Sequence, residues 1–188
     1  MRIVLKNTNL ILASAKWTAT GSVIKVLADE VQQVSLPSNA KVYSRNLVDA
    51  SQAVFRKILN DNGEEVSDSS SYFKNFIPVK GGCTLSTNYT FARIYLYDEN
   101  FNLLERYYKQ GATVDVPATS KSTPVVWARI QTTASVTESL LPNMIVVRDE
   151  PSAPTTFEPF QSNADGNIYS PYSWVWADDL SEISIKSK

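Results

Sequence analysis

The sequence predicts an all-β protein built on an antiparallel β-sandwich, with a small N-terminal β segment and a C-terminal extension. Three observations carry this. Only 20% of the 188 residues are charged, while Val, Ile, Tyr and Phe recur in short runs among abundant Ser, Thr and Asn, a balance that favours strands over helices. Apolar runs of four to eight residues are separated by Gly, Pro, Asn, Asp and Ser clusters at intervals of roughly 8–12 residues, the spacing of a sandwich. The clearest runs also alternate with a period of two.

Residues 1–45 read as a first segment with short strands at 3–5, 10–12, 23–26 and 41–43, joined by turns at 7–9, 20–22 and 37–39. Residues 29–34 suggest a short helical turn, because Val31 and Val34 sit three apart. About 45 residues with so little apolar material are marginal alone. The segment is therefore expected to serve attachment or oligomerisation, packed on the sandwich or on a partner chain.

The sandwich spans 46–160, with strands expected at 54–59, 71–77, 84–87, 91–97, 103–108, 112–116, 125–132 and 143–147. Asn60-Asp61-Asn62-Gly63 and Asp98-Glu99-Asn100 read as hairpin turns. Alternation puts Ile94 and Leu96 on one side of their strand and Arg93, Tyr95 and Tyr97 on the other. It likewise separates Trp127, Arg129 and Gln131 from Ala128 and Ile130. Pro151, Pro154 and Pro159 cannot donate to a ladder, so the closing segment should run over a sheet edge, with Phe157 and Phe160 plugging the core.

Residues 161–188 open with a polar bridge and continue as an aromatic stretch containing Tyr169, Tyr172, Trp174 and Trp176. Two tryptophans and two tyrosines in eight residues are not the composition of a disordered tail. The segment is expected to pack on the sandwich or on a neighbouring subunit, with both indoles on one strand face.

Charge and composition remove whole function classes. The 18 basic and 19 acidic residues nearly cancel and are scattered, which argues against a nucleic-acid partner. No histidine is present, so imidazole-based triads and most zinc sites are excluded. A single cysteine, Cys83, leaves no intramolecular disulfide and no thiolate metal cluster. The apolar start is interrupted by Lys6 and Asn7, too early for a leader or a span, so no membrane partner is expected. No phosphate loop or dinucleotide fingerprint occurs, and the glutamates lie scattered on turns or strand ends with no pair to nominate for glycosidase chemistry. The expectation is a protein that is not an enzyme, with no cofactor and no metal. Asp98-Glu99-Asn100 and Asp178-Asp179 lack the spacing of a cation loop and read as solvated turns.

Four segments occur in a familiar order. These are Phe76-Ile77-Pro78-Val79-Lys80-Gly81-Gly82-Cys83-Thr84-Leu85, Ala92-Arg93-Ile94-Tyr95-Leu96-Tyr97-Asp98-Glu99-Asn100, Trp127-Ala128-Arg129-Ile130, and the stretch from Pro151 to Phe160. Together with Asn46-Leu47-Val48 they resemble the carbohydrate-binding-module-like jelly-roll domain of phage and prophage fibre, tail and baseplate-associated proteins, over residues 46–160. Gly81-Gly82 stands where that family has Pro-Gly, and Phe157 and Phe160 where it has tyrosines. The first residues, Met1 to Thr8, also look like the starts of virion fibre proteins in crAss-like phages of gut Bacteroidales bacteria.

The resemblance implies a bacteriophage virion component, a head or tail fibre or appendage subunit localised in the virion and assembled in the host cytoplasm. Its implied partners are other virion proteins, further copies of itself as a homotrimer, and a host-surface glycan. Two further classes stay open: a purely structural capsid decoration or adaptor protein without ligand, and a glycan-binding module of a cellular surface protein. Exposed aromatics on a sandwich hold sugar rings by stacking. Tyr107, Tyr108, Tyr72 and Trp127 are the candidate ligand-binding residues, each with a second reading as core packing or subunit contact. Tyr107 and Tyr108 cannot both face inward, so one of them is the best single platform. Trp174, Trp176, Tyr169 and Tyr172 are the candidates for a subunit interface.

Overall fold

A computed structural model of the chain describes residues 23–28, 31–108, 110–163, 167–170, 172–177 and 183–187. These fall into two compact units, one of residues 46–160 and one of the flanking segments 1–45 and 161–188. Among the described residues there is no α-helix, the only helical turns being the short 3-10 pieces Ala50–Gln52 and Leu141–Asn143. Every strand pairing among them is antiparallel.

The larger unit is organised by one strand of 15 residues, Cys83–Tyr97. Its first half lies between Gly111–Val116 and Val146–Arg148. Its second half lies between Leu103–Tyr107 and Trp127–Thr132, with Tyr72–Phe73 and Ile77–Pro78 beyond the latter. The exchange of partners falls at residues 87–91, where the ladders slip: Thr113 faces Ser86 but Gly111 faces Phe91, and Gln131 faces Arg93 but Thr132 faces Phe91. Asn88 stabilises the irregularity, its Oδ1 accepting from Ile145 N (2.8 Å) and its Nδ2 donating to Asn143 O (2.9 Å). The result is an open, strongly curled antiparallel sheet, as an all-β sandwich requires. Leu85, Val114 and Val146 from one half and Ile77, Ile94, Leu96, Ala128 and Ile130 from the other form buried inner positions. Full burial of each large apolar side chain contributes roughly 1.5–3 kcal/mol.

The sequence predicts separate strands at 84–87 and 91–97, whereas the chain runs through. Asn88-Tyr89-Thr90 holds no Gly or Pro to turn it, and the polar side chains pair within a bulge. Conversely, the strand expected at 54–59 is split into Ala53–Val54 and Lys57–Leu59 by Arg56, whose φ is +54°. The hairpin at Asn60–Gly63 forms as read: Asn60 Oδ1 accepts from Asn62 N and Glu64 N, and Gly63 takes φ +79°. Its second strand, Glu65–Ser67, is fully polar on the surface except for Val66 and gave no apolar signal.

The closure works differently from the expected aromatic plug. Phe157 is 44% exposed and Phe160 only partly buried. What joins the two ends of the unit is buried Asn46. Its Nδ2 donates to Glu158 O (2.8 Å) and Met144 O (3.3 Å), and its Oδ1 accepts from Val48 N (3.1 Å) and Val146 N (3.0 Å). All four valences of one amide are thus used to tie the opening of the unit to its end.

Arg148 is fully buried, on the same strand face as Leu85 and Val146. Its guanidinium donates to Pro78 O (2.9 Å), reaches Lys80 O and Gly82 O at 3.4 and 3.5 Å, and pairs with Asp149 Oδ2 at 3.2 Å. Asp149 in turn accepts from Thr84 N (3.1 Å). The charge therefore pins the Pro78–Gly82 turn to the sheet. That turn needs both glycines: Gly81 and Gly82 have φ +85° and +77°. A Cβ at Gly82 would lie 3.0 Å from Ala118 N. Proline cannot adopt φ +85°, so the Gly81-Gly82 departure marks a turn of different geometry from a Pro-Gly one.

In the smaller unit the flanking segments, separate in the sequence reading, form one sheet. Its strand order is Val23–Leu27, Tyr172–Trp176, Lys41–Tyr43 and Ser162–Asn163. Ile24, Val26, Val42 and Val175 face a small core shared with Ala40, Ala177 and Ile183. The expected helical turn at 29–34 is instead the strand Val31–Ser35, paired with Ser184–Ser187. The polar residues around Val31 and Val34 also fit an edge ladder, and pairing decides between the two. The strands and turns expected at 3–5, 7–9, 10–12 and 20–22 lie outside the described residues.

Replacing Arg148 by Met roughly keeps the volume but removes the guanidinium's hydrogen bonds to three backbone carbonyls and its pairing with Asp149. We expect a loss of about 3 kcal/mol in stability, from the cost of breaking a buried charge network, read as a lower urea midpoint. An unchanged midpoint would show that the turn holds without the charge.

Candidate functional site

The functional candidate is the sheet face that carries Arg93, Tyr95 and Tyr97. Cross-strand pairing places side chains on it in rows. Leu103, Tyr97 and Trp127 form one row, and Arg106, Tyr95 and Arg129 the next. Arg93, Gln131 and Tyr72 form the third. An arginine thus stands on each side of Tyr95.

The hairpin of Lys57–Leu59 and Glu65–Ser67 is fastened to this face by polar contacts. Buried Tyr95 donates its hydroxyl to Gln131 Oε1 (2.6 Å) and accepts from Leu59 N (3.0 Å). Arg106 Nη1 pairs with Asp61 at 2.6 Å. Tyr72 donates to Glu65 Oε1 (2.5 Å), and the same carboxylate is flanked by Lys57 and Lys74, each at 3.0 Å. The Tyr72 hydroxyl bond, then the two lysines, hold the Glu65 carboxyl down to about 2. Burial pushes the Tyr95 phenol up to about 12.

At the other side of the face the turn after Tyr97 contributes Phe101. This residue is 50% exposed and sits at φ +63°, a conformation that costs a bulky side chain roughly 1–2 kcal/mol. Asp98 organises the turn: its Oδ1 accepts from Asn100 N and Asn102 N, and its Oδ2 from Asn102 Nδ2. These bonds, the Asn102 side chain first, lower the Asp98 pKa and occupy the carboxylate. Phe101 stacks on Trp127, with centroids 5.5 Å apart and planes 20° apart, and meets Phe76 at 4.6 Å. Phe76 contacts Tyr97 edge-on at 5.0 Å, and the Arg129 guanidinium lies 4.0 Å over the Phe76 ring and 5.5 Å from Tyr97. The strained backbone thus buys an exposed ring on an aromatic stack.

Of the four candidate ligand residues, Tyr108 is the exposed one, at 64%, with the Arg93 guanidinium 5.5 Å from its ring. Tyr107 is partly buried. Tyr72 is 1% exposed and committed to Glu65, so it presents no ring to a ligand. Trp127 is 6% exposed and lies beneath Phe101, a support and not a surface. Phe101 and Phe76 were missed by sequence reasoning. The available signal was a phenylalanine in an otherwise polar turn, Asp98-Glu99-Asn100-Phe101-Asn102.

Of the four interface candidates, Tyr172 and Trp174 are buried within the chain itself, so their burial requires no second subunit. They meet edge to face at 6.0 Å, and Lys25 Nζ lies 3.6 Å over the Tyr172 ring. Trp176 shares their strand face and is partly buried, as is Tyr169, which receives a hydrogen bond from Asn163 Nδ2 at 2.7 Å. Asp178-Asp179 lies outside the described residues. Among the described residues no group of three acids or thiols is placed to hold a metal ion, and no helix is long and apolar enough to cross a membrane.

Comparison of the chain with protein-family models, with curated proteins and with solved structures found no match.

The Glu65 contacts make a pH signature. The folded carboxyl is held at about 2 against an ordinary 4.5, so its stabilisation is complete above pH about 4.5 and is lost as pH falls through about 2. Comparing the wild-type chain with Glu65→Gln in denaturant titrations should show a wild-type advantage at pH 6 that shrinks across this window. An advantage that persists at pH 2 would remove the ionised carboxylate from the account.

Proposed function

We propose that the chain is a non-enzymatic surface-recognition subunit of a bacteriophage particle, a head or tail fibre or appendage protein. Its sandwich binds a host-surface glycan through the Phe101–Trp127–Tyr108 side of the sheet. The virion assignment rests on the ordered sequence segments that resemble phage fibre and tail domains.

The binding assignment rests on one observation above all, the exposed Phe101 ring held in left-handed backbone on Trp127. Strain retained at a bulky, half-exposed residue is the kind of outlier that belongs to a site and not to a core. An exposed aromatic face also suits a pyranose, whose apolar face stacks on it at small entropic cost. In the proposed particle the chain acts as a homotrimer, in which several weak sites engage one surface together.

Two measurements test this. On a glycan array the verified oligomer should bind a defined set of oligosaccharides, and light scattering should return the mass of three chains. In the variant Phe101→Gly the relieved φ strain and the lost ring packing offset each other, so stability should move by less than about 1 kcal/mol. Affinity should fall about tenfold, the equivalent of one lost stacking contact. A clear stability loss with unchanged affinity would make Phe101 a packing residue. Absence of glycan binding by a well-folded trimer would leave the chain as a structural decoration or adaptor.

A further inference from the structure

Two of the three arginines of this face, Arg93 and Arg129, carry charge that no acid among the described residues pairs with, whereas Arg106 pairs with Asp61. Arg129 and Arg93 are partly buried; the Arg129 guanidinium lies over Phe76 and near the Tyr97 ring and also hydrogen-bonds the Tyr97 side chain, and the Arg93 guanidinium lies by the Tyr108 ring. Neither forms an ion pair with an acid among the described residues. The Nε atoms of Arg129 and Arg106 are both buried without an acceptor among the described residues. Arg106 does have Asp61, but Asp61 is 87% exposed on the hairpin tip and engages Nη1 alone. These Nε atoms are closed off from a ligand, but the two Nη groups of a planar guanidinium can still meet a carboxylate in a bidentate way. Row pairing sets Arg106 and Arg129 on either side of Tyr95, and the rings of Phe101 and Tyr108 stand on the same side of the sheet.

Resting on the glycan reading above, we propose that the ligand is acidic: a uronate-bearing oligosaccharide whose rings stack on Phe101 and Tyr108 while its carboxylates lie on Arg129 and Arg93. A neutral glycan would leave these cations as they are. Four acidic groups around the face are held by other partners, Asp68 by Ser70 N at 2.7 Å. Asp98 is occupied by its own turn, Glu65 by Tyr72, Lys57 and Lys74, and Asp61 by Arg106.

The test is calorimetric titration of the full chain with oligogalacturonate, alginate oligosaccharides and hyaluronan oligosaccharides. Each is run beside its methyl-esterified or carboxyl-reduced counterpart, with single-stranded DNA as a polyanion control. The expected result is that at least one acidic series binds about tenfold or more tightly than its neutral counterpart, and that added salt weakens this preference. Arg129→Gln and Arg93→Gln should each erase most of the preference while residual binding to the neutral form persists. Circular dichroism and the denaturation midpoint establish folding of each variant, and the salt series on the wild-type chain stands independently of both.

Equal binding of acidic and neutral forms, or a preference untouched by both substitutions, would overturn the acidic assignment and leave the glycan reading intact. Binding of DNA as tight as that of the best oligosaccharide would replace it with generic polyanion attraction. Binding of no oligosaccharide, acidic or neutral, would remove both readings together.

Discussion

The larger unit depends on a single strand being too long to belong to one sheet half. At about 3.3 Å per residue, the 15 residues of Cys83–Tyr97 span about 50 Å, well beyond an ordinary strand. The chain stays compact because the ladder breaks at residues 87–91 and changes partners there. Everything placed on the Arg93–Tyr97 face follows from the second half of that strand. Arg93, Tyr95 and Tyr97 take their spacing from its pleat, and the neighbouring strands supply Arg106, Arg129 and Trp127 by register alone. A slip of one residue would exchange this face for the apolar one, so the core contacts of Ile94 and Leu96 also fix where the arginines stand.

Much of this was legible because alternation is a local property. The separation of Arg93, Tyr95 and Tyr97 from Ile94 and Leu96, and of Arg129 from Ile130, can be read from the residues, and register then sets the two groups abreast. The hairpins at Asn60–Gly63 and after Tyr97 were legible for the same reason, since turn chemistry is short-range. What was not legible depends on distant partners. Nothing near Tyr72 announces that Glu65 will cover it, and nothing near Trp127 announces Phe101. The continuity of the long strand was hidden because Asn88 looks like a turn former until Asn143 and Ile145 arrive to pair with it. Burial of Arg148 was hidden likewise, since its acceptors come from residues about 70 positions earlier.

The two covers of the face are built on different physics. The Lys57–Ser67 hairpin is attached through a few directional bonds to Tyr95, Arg106 and Tyr72, with Leu59 and Ile58 buried behind them. The Phe101 turn is closed by Asp98 and keeps its ring outward at a conformational cost. One cover is therefore sensitive to proton concentration through Glu65, and the other to the shape of its backbone. Both covers also add apolar contacts, Ile58 and Leu59 in the hairpin and the Phe101 stack on Trp127 and Phe76 in the turn.

The pairing of Ser44 with Gln161 has a consequence for how such a chain can change. Ser44 N donates to Gln161 O at 2.8 Å, and Gln161 N donates back to Ser44 Oγ at 2.8 Å. The segment between them leaves and returns through one reciprocal clasp, while Asn46 and Glu158 repeat the closure one step further in. Residues 46–160 are thus spliced as a cassette into a host sheet whose own strands come from both flanks. Neighbouring entry and exit points are where whole domains are tolerated as insertions. The strands of the flanking sheet therefore take their hydrogen bonds from residues outside 46–160, and the inserted unit joins them at two adjacent points of the chain.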